Sequence, residues 1–209
     1  MFTNRTEAGK RLAERLQEAA VNPDLVLAIP RGGLPVGRAV ADALGVPLDV
    51  VVASKVGAPG NPELAIGAVT GEGDLWLNDS LVEQFGIGDR YIESQREREA
   101  DVAREKVRAY RGGKPVPDVS GKRVVIVDDG VATGATALAC LQQVRSGGAA
   151  RIVFAVPVAS AATIPRLREV ADDVVVVEVP ETFAAVGYHY RDFGQVTDEE
   201  ALEYLDDEV

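Results

Sequence analysis

Apolar positions follow two different periods along the chain. Leu12, Leu16 and Ala20 recur at helical spacing among charged residues, which predicts an amphipathic helix over 4–20. Leu25 to Ile29 is an unbroken apolar run that stops at Pro30 and predicts a buried strand. A glycine-rich turn follows, then a helix through Ala39 to Leu44 that Gly45 terminates. Leu48 to Ala53 predicts a second strand. Gly57, Pro59, Gly60 and Pro62 make the stretch from Lys55 to Glu63 read as a loop. Short strands are predicted near 65–70 and 75–78, joined by the hairpin signature Gly71-Glu72-Gly73-Asp74. Residues 89–110 predict a long charged helix, and Gly112 to Gly121 a Gly/Pro linker.

Val124-Val125-Ile126-Val127 is a continuous β-branched run, the pattern of a parallel strand covered on both faces. A helix over 136–145, a strand over 151–156, a helix over 161–170 and a strand over 174–179 then alternate. The chain closes with an irregular aromatic segment and an acidic helix near 198–205. Strands alternating with helices imply an α/β fold: a Rossmann-like parallel sheet with helices on both faces.

Composition narrows this picture. The 209 residues suit a single domain. Its core is expected over about 20–180, with a hood and tail over 181–209. Hydrophobic residues make up 46%, enough for a buried core, while aromatics at 5% leave that core to Val, Leu and Ala. No apolar run approaches the ~20 residues that span a bilayer. Residues 1–5 lack the apolar stretch of a signal peptide. The expectation is a soluble, cytoplasmic protein with no membrane partner. A net charge of −11 argues against nucleic acid as a partner, because its phosphates would be repelled. Cys140 is the only cysteine and His189 the only histidine, so neither a disulfide nor a cysteine-pair zinc site can form within this chain.

The chemistry is concentrated in Asp128-Asp129-Gly130-Val131-Ala132-Thr133-Gly134-Ala135-Thr136, directly after the β-branched run. A buried strand ends in two carboxylates, a small-residue loop follows, and a helix begins. Ligands of open α/β sheets bind beyond the carboxyl ends of the strands. Gly130 and Gly134 allow close backbone approach to a phosphate. The helix N-terminus adds partial positive charge. Thr133 and Thr136 can donate hydroxyl hydrogen bonds. Ionised carboxylates accept only, so Asp128 and Asp129 call for sugar hydroxyls or a metal ion. A P-loop would need Gly-Lys-Ser/Thr, and a dinucleotide fingerprint would place its acid after the glycines.

This segment resembles the phosphoribosyl-diphosphate signature of the type I phosphoribosyltransferases. Pro30-Arg31-Gly32-Gly33 is similar to that family's pyrophosphate loop. The resemblance implies a cis peptide at Pro30–Arg31. It also implies pyrophosphate contacts from Arg31, Gly32, Gly33 and Lys55, and a mobile lid near 57–63. Asp128 and Asp129 would serve the ribose hydroxyls and, directly or through water, Mg²⁺. Residues 130–136 would hold the 5-phosphate. The implied activity is Mg²⁺-dependent transfer of 5-phosphoribosyl from phosphoribosyl diphosphate to a small-molecule base. The alternative is a non-catalytic sensor of phosphoribosyl diphosphate or of a nucleotide. The resemblance also implies a small hood built from the C-terminal tail with a contribution from the N-terminal helix, and an acceptor pocket in the segment 180–193, where Phe183, Tyr188, Tyr190 or Phe193 would stack on the base. By the same resemblance a 6-oxopurine acceptor would call for a lysine near the strand Val174 to Val179, which contains none, so hypoxanthine or guanine is not the expected base. The sequence leaves a homodimer open.

Overall fold

A computed structural model describes residues 1–112 and 114–206. Its centre is a parallel sheet of β1 (Leu25–Ala28), β2 (Leu48–Val50), β6 (Arg123–Val127), β7 (Arg151–Val158) and β8 (Asp173–Glu178). The strands run in the order β2-β1-β6-β7-β8. The alternate side chains of these strands pack into two different clusters, which explains the unbroken apolar runs. Val26, Ala28, Val125 and Val127 pack with Leu12 and Leu16 of α1 (Arg5–Glu18) and Val36 and Val40 of α2 (Gly33–Leu44). Leu25, Leu27, Val124 and Ile126 pack with Leu138, Leu141 and Val144 of α5 (Ala135–Ser146) and Leu167 of α6 (Ile164–Val170). From β1 the chain crosses to β2 on one side, while β6 lies on the other. The reversal opens a crevice at the carboxyl ends of β1 and β6, where such sheets bind ligands.

Between β2 and β6 the chain builds a second sheet of β3 (Ala53–Ala58), β4 (Asn61–Thr70) and β5 (Leu75–Leu77), all antiparallel. Helices α3 (Asp79–Gln84) and α4 (Asp89–Arg111) follow it. Val56, Ile66 and Val69 pack with Ile92 and Ala100 of α4. Ala53, Ala68 and Trp76 pack with Ala135 and Ala139 at the start of α5.

This sheet corrects two sequence expectations. The strand expected over 48–53 divides at Val51 and Val52 into β2 and β3, one in each sheet. The stretch from Lys55 to Glu63 is a hairpin, not an irregular loop. Val56 and Ala58 are buried on one face, and Pro59-Gly60 form the turn, Gly60 having φ +74. Gly57 marks a register shift where β3 meets β4. Its glycines and prolines therefore mark a turn and a bulge.

The outer strand β2 is closed by side chains. The buried Arg111 guanidinium donates to the Val50 carbonyl at 2.9 Å and pairs with Asp49 at 3.1 Å. The Asp49 carboxylate in turn accepts the Val50 N–H at 2.6 Å.

The two ends of the chain meet over the sheet. Phe2 is fully buried against Tyr190, their ring centroids 5.3 Å apart. Phe2 N–H donates to the His189 carbonyl at 2.7 Å, and Arg191 N–H to the Phe2 carbonyl at 2.9 Å. Helix α7 (Asp198–Glu203) starts from a capping box of Thr197 and Glu200 and buries Ala201 in the core. Thr197→Ala removes the side-chain acceptor for one helix N–H, and should cost about 1 kcal/mol. Faster amide exchange confined to α7 is the expected readout.

Candidate functional site

Two loops converge at the crevice. The first, residues 30–33, leaves β1 and leads into α2, with a cis peptide at Pro30–Arg31. The second, residues 128–134, leaves β6 and leads into α5. They touch through the glycines. A Cβ placed on Gly32 would lie 2.2 Å from Asp129 Oδ2, and one on Gly33 would lie 2.9 Å from the Val127 carbonyl oxygen. Only hydrogen fits at either position, so the Gly-Gly pair permits the acids and the first loop to share one site.

Asp128 and Asp129 are half-buried at the end of β6. Asp128 Oδ1 accepts the Asp129 N–H at 2.8 Å. Burial, with the neighbouring Asp129 charge, pushes the Asp128 carboxyl well above the usual carboxylate range. Burial raises Asp129 as well, against the opposing pull of Arg5. Arg5 Nε donates to Asp129 Oδ2 at 2.7 Å, with the two side chains only 12% and 14% exposed. The Tyr190 hydroxyl donates to the Asp129 carbonyl at 2.5 Å.

Beyond the acids the backbone is held from outside. Thr163 Oγ1 donates to the Ala132 carbonyl, and Arg166 to the Thr133 carbonyl at 3.2 Å. With those carbonyls drawn toward α6, the N–H groups of Thr133 and Gly134 point the opposite way, because a trans peptide sets its C=O and N–H antiparallel. Gly134 has φ +80 at the helix cap and lies against Thr163. The first intrahelical bond of α5 runs from Leu138 N–H to the Gly134 carbonyl at 2.8 Å. The N–H groups of Ala135, Thr136 and Ala137 therefore have no acceptor within the helix. The result is a set of amides at a positive helix end, able to bind an oxyanion.

Gly32, Gly33, Asp128 and Asp129 thus come together with residues 130–136. Arg31 is placed differently. Its guanidinium is directed toward Asp198 of α7, at 3.7 Å. There it lines a cavity of about 650 Å³ with Pro30, Ala53 and Tyr110. Lys55 lies on β3 opposite Ala68, exposed. Directly opposed residues share a sheet face, so Lys55 is on the face whose Ala53 and Ala68 cover the first turns of α5.

The aromatic tail departs from the expected stacking surface. Tyr190 is buried, and its hydroxyl is spent on Asp129. The Phe193 ring is covered by the Arg5 guanidinium, 3.8 Å from its centroid. Phe183 stacks on His189 at 5.5 Å. Tyr188 remains exposed. Cys140 is fully buried, as its apolar helix face implies.

Sequence reasoning missed Arg5, Thr163 and Arg166. Asn4 caps α1 through its side chain and makes Arg5 the first helical residue, but no pattern directs that side chain to a loop 124 positions away. Among the described residues no three carboxylate, thiol or imidazole groups cluster into a metal cage. No described helix is long and apolar enough to cross a membrane.

A doubly wound parallel sheet with two glycine loops and paired acids at its switch point defines a class of α/β protein, one whose sheets bind ligands beyond the strand ends. The chain belongs to the phosphoribosyl transferase domain family, whose model matches residues 3–191. It is 39% identical over 206 residues to a Mycobacterium tuberculosis protein named "Putative phosphoribosyl transferase", covering 99% of this chain and 46% of that one. It thus spans about half the length of these curated relatives. An amidophosphoribosyltransferase of Rhizobium etli is 25% identical over 152 residues, 73% of this chain and 23% of its own. The crystal structure of TT1426 from Thermus thermophilus superposes with a TM-score of 0.84 at 46% identity, covering 98% of this chain and 97% of that one.

Proposed function

We propose that the chain transfers a 5-phosphoribosyl group from phosphoribosyl diphosphate to a nitrogen nucleophile and releases pyrophosphate. The observation that carries this reading is the approach of Gly32 to the Asp129 carboxylate, which puts the loop 30–33, two acids and the amides at the start of α5 around one crevice.

Within residues 130–136, the buried Val131 gives its N–H to the Val158 carbonyl at 2.9 Å and only supports the loop. The amides from Ala132 to Thr136 and the hydroxyls of Thr133 and Thr136 fix the 5-phosphate. Anchored there, the sugar lays its hydroxyls against Asp128 and Asp129, and binding energy spent at the phosphate orients the anomeric carbon. The anomeric C–O bond breaks with its electron pair leaving on pyrophosphate, a C–N bond forms, and the nucleophile loses a proton. Asp128 and Asp129 offset the positive charge that develops on the ring. Gly32 offers its backbone amide to the diphosphate, while the Gly33 N–H is given to the Ile29 carbonyl at 3.0 Å and Gly33 serves by its lack of a side chain. Arg31 and Lys55 are the cationic partners of the diphosphate. Arg31 would reach it by releasing Asp198, an exposed pairing worth little in itself.

The paired acids suit Mg²⁺, which binds one or two carboxylates and completes its shell with water and substrate phosphate. Asp128 and Asp129 would hold it, directly or through water, and it would supply charge neutralisation of the leaving pyrophosphate.

Calorimetry with phosphoribosyl diphosphate and Mg²⁺ tests the binding step, and pyrophosphate release with a panel of bases tests transfer. Absence of binding would sink the proposal. Binding without release across the panel would favour the sensor reading. Thr136→Val removes one hydroxyl donor at the helix start and is expected to weaken the sugar diphosphate about tenfold. Its melting temperature should move little. Unchanged affinity would place the phosphate elsewhere.

A further inference from the structure

Arg5 is the cation nearest the acid pair, and it comes from a part of the chain remote from every recognised motif. Helix α1 begins at Arg5, and the Asn4 cap fixes the backbone there by accepting the Glu7 N–H at 2.9 Å. The guanidinium is held on three sides. Nε donates to Asp129 Oδ2 at 2.7 Å, Nη1 donates to the Gly194 carbonyl at 2.7 Å, and the planar group lies on the Phe193 ring. The Phe193 ring is itself 5.0 Å from that of Tyr190, whose hydroxyl holds the Asp129 carbonyl. Backbone and side chain of Asp129 are thus fixed from the two ends of the chain at once.

The charge arithmetic gives this clamp a purpose. The crevice holds two adjacent carboxylates and, on the reading proposed above, receives a highly anionic sugar diphosphate. Like charges at such distances repel strongly in a partly dry site. A cation behind Asp129 reduces that repulsion without occupying the ligand's place. A single Nε–Oδ2 bond also leaves the second carboxylate oxygen for a sugar hydroxyl, and locks the rotation that would otherwise have to be frozen on binding.

We propose that Arg5 is a positioning residue for sugar-diphosphate binding, acting through the Asp129 carboxylate. This rests on the proposed function of the crevice, and it goes beyond it by giving the N-terminal helix a part in the site.

The test is a double-mutant cycle in affinity, measured by calorimetry with phosphoribosyl diphosphate and Mg²⁺. The proteins are the unmodified chain, Arg5→Gln, Arg5→Lys, Asp129→Asn and Arg5→Gln with Asp129→Asn. Arg5→Gln should bind about tenfold more weakly. Arg5→Lys keeps the charge but loses the simultaneous bonds to Asp129 and Gly194 and the stacking on Phe193, so it should recover only part of that loss. In the Asp129→Asn background the Arg5→Gln change should alter affinity by less than about twofold. A purely structural role would give the same loss in both backgrounds and would overturn the inference. So would affinity in Arg5→Gln that equals or exceeds that of the unmodified chain. If Arg5→Gln fails to fold, the same cycle is read with Arg5→Lys, which must lose more in the Asp129 background than in the Asp129→Asn one. If the unmodified chain itself does not bind, the proposed function fails and this inference with it. If it binds and the cycle shows no coupling, only the role of Arg5 is lost.

Discussion

Asp128→Asn combined with Asp129→Asn is expected to lower phosphoribosyl transfer at least ~100-fold, the scale on which a preorganised electrostatic group acts. Folding should respond differently. Asp128 is a carboxyl raised well above its ordinary range by burial and by its neighbour. Its proton is therefore held more tightly in the folded chain than in the unfolded one. As pH climbs above the ordinary carboxylate value of about 4, the unfolded chain ionises first and stability falls. Asn has no proton to lose. Asp128→Asn alone should therefore melt higher than the unmodified chain at pH 8 in metal-free buffer, and the difference should shrink toward pH 4. Melting curves across pH, read beside pyrophosphate release, check both halves. Transfer surviving in the double variant would remove the acids from the mechanism. A melting gain that grows on acidification would contradict the assigned shift.

Gly32→Ala should be nearly as damaging, for a steric reason. The added methyl would lie 2.2 Å from Asp129 Oδ2 and 2.7 Å from its Cγ, so either the acid or the loop 30–33 must move. Overpacking of this kind costs about 1–3 kcal/mol of stability. Because one half of the proposed site must shift against the other, affinity for the sugar diphosphate should fall at least ~tenfold. Gly88→Ala is the control. Gly88 has φ −81 and open space around the added atom, so affinity should stay put, and any loss of stability is that of an Ala in place of Gly at the α4 N-cap. Calorimetry showing undiminished binding by Gly32→Ala would mean that the loop lies outside the binding site.

Much of this was legible in the chain itself, for identifiable reasons. Leu25 to Ala28 and Val124 to Val127 read as buried strands because both faces of the sheet are covered, and the structure puts them side by side in register. Asp128 and Asp129 stood out only because a small-residue loop ending in Thr133-Gly134-Ala135-Thr136 follows them, acids at a strand end alone being common, and the glycine spacing told where the helix would start. Three things were hidden. The β3–β4 hairpin was masked by its own turn residues, since Pro59 and Gly60 signal interruption without saying that two strands flank it. Tyr190 and Phe193 looked like a stacking surface because sequence shows ring content and not what already occupies each ring. Arg5 had no signal at all, because its partner is 124 positions away and only tertiary packing brings them within hydrogen-bonding distance.

The closure of β2 by Arg111 and Asp49 bears on how copies of this chain can associate. The Val50 carbonyl and N–H, at the C-terminal end of the outermost parallel strand, are already engaged by side chains. An incoming strand would have to displace a buried guanidinium before it found a backbone group to pair with, so this margin of the sheet is a poor template for edge-to-edge growth. Arg111→Ala would reopen it, and light scattering at high concentration should show more aggregation than for the unmodified chain.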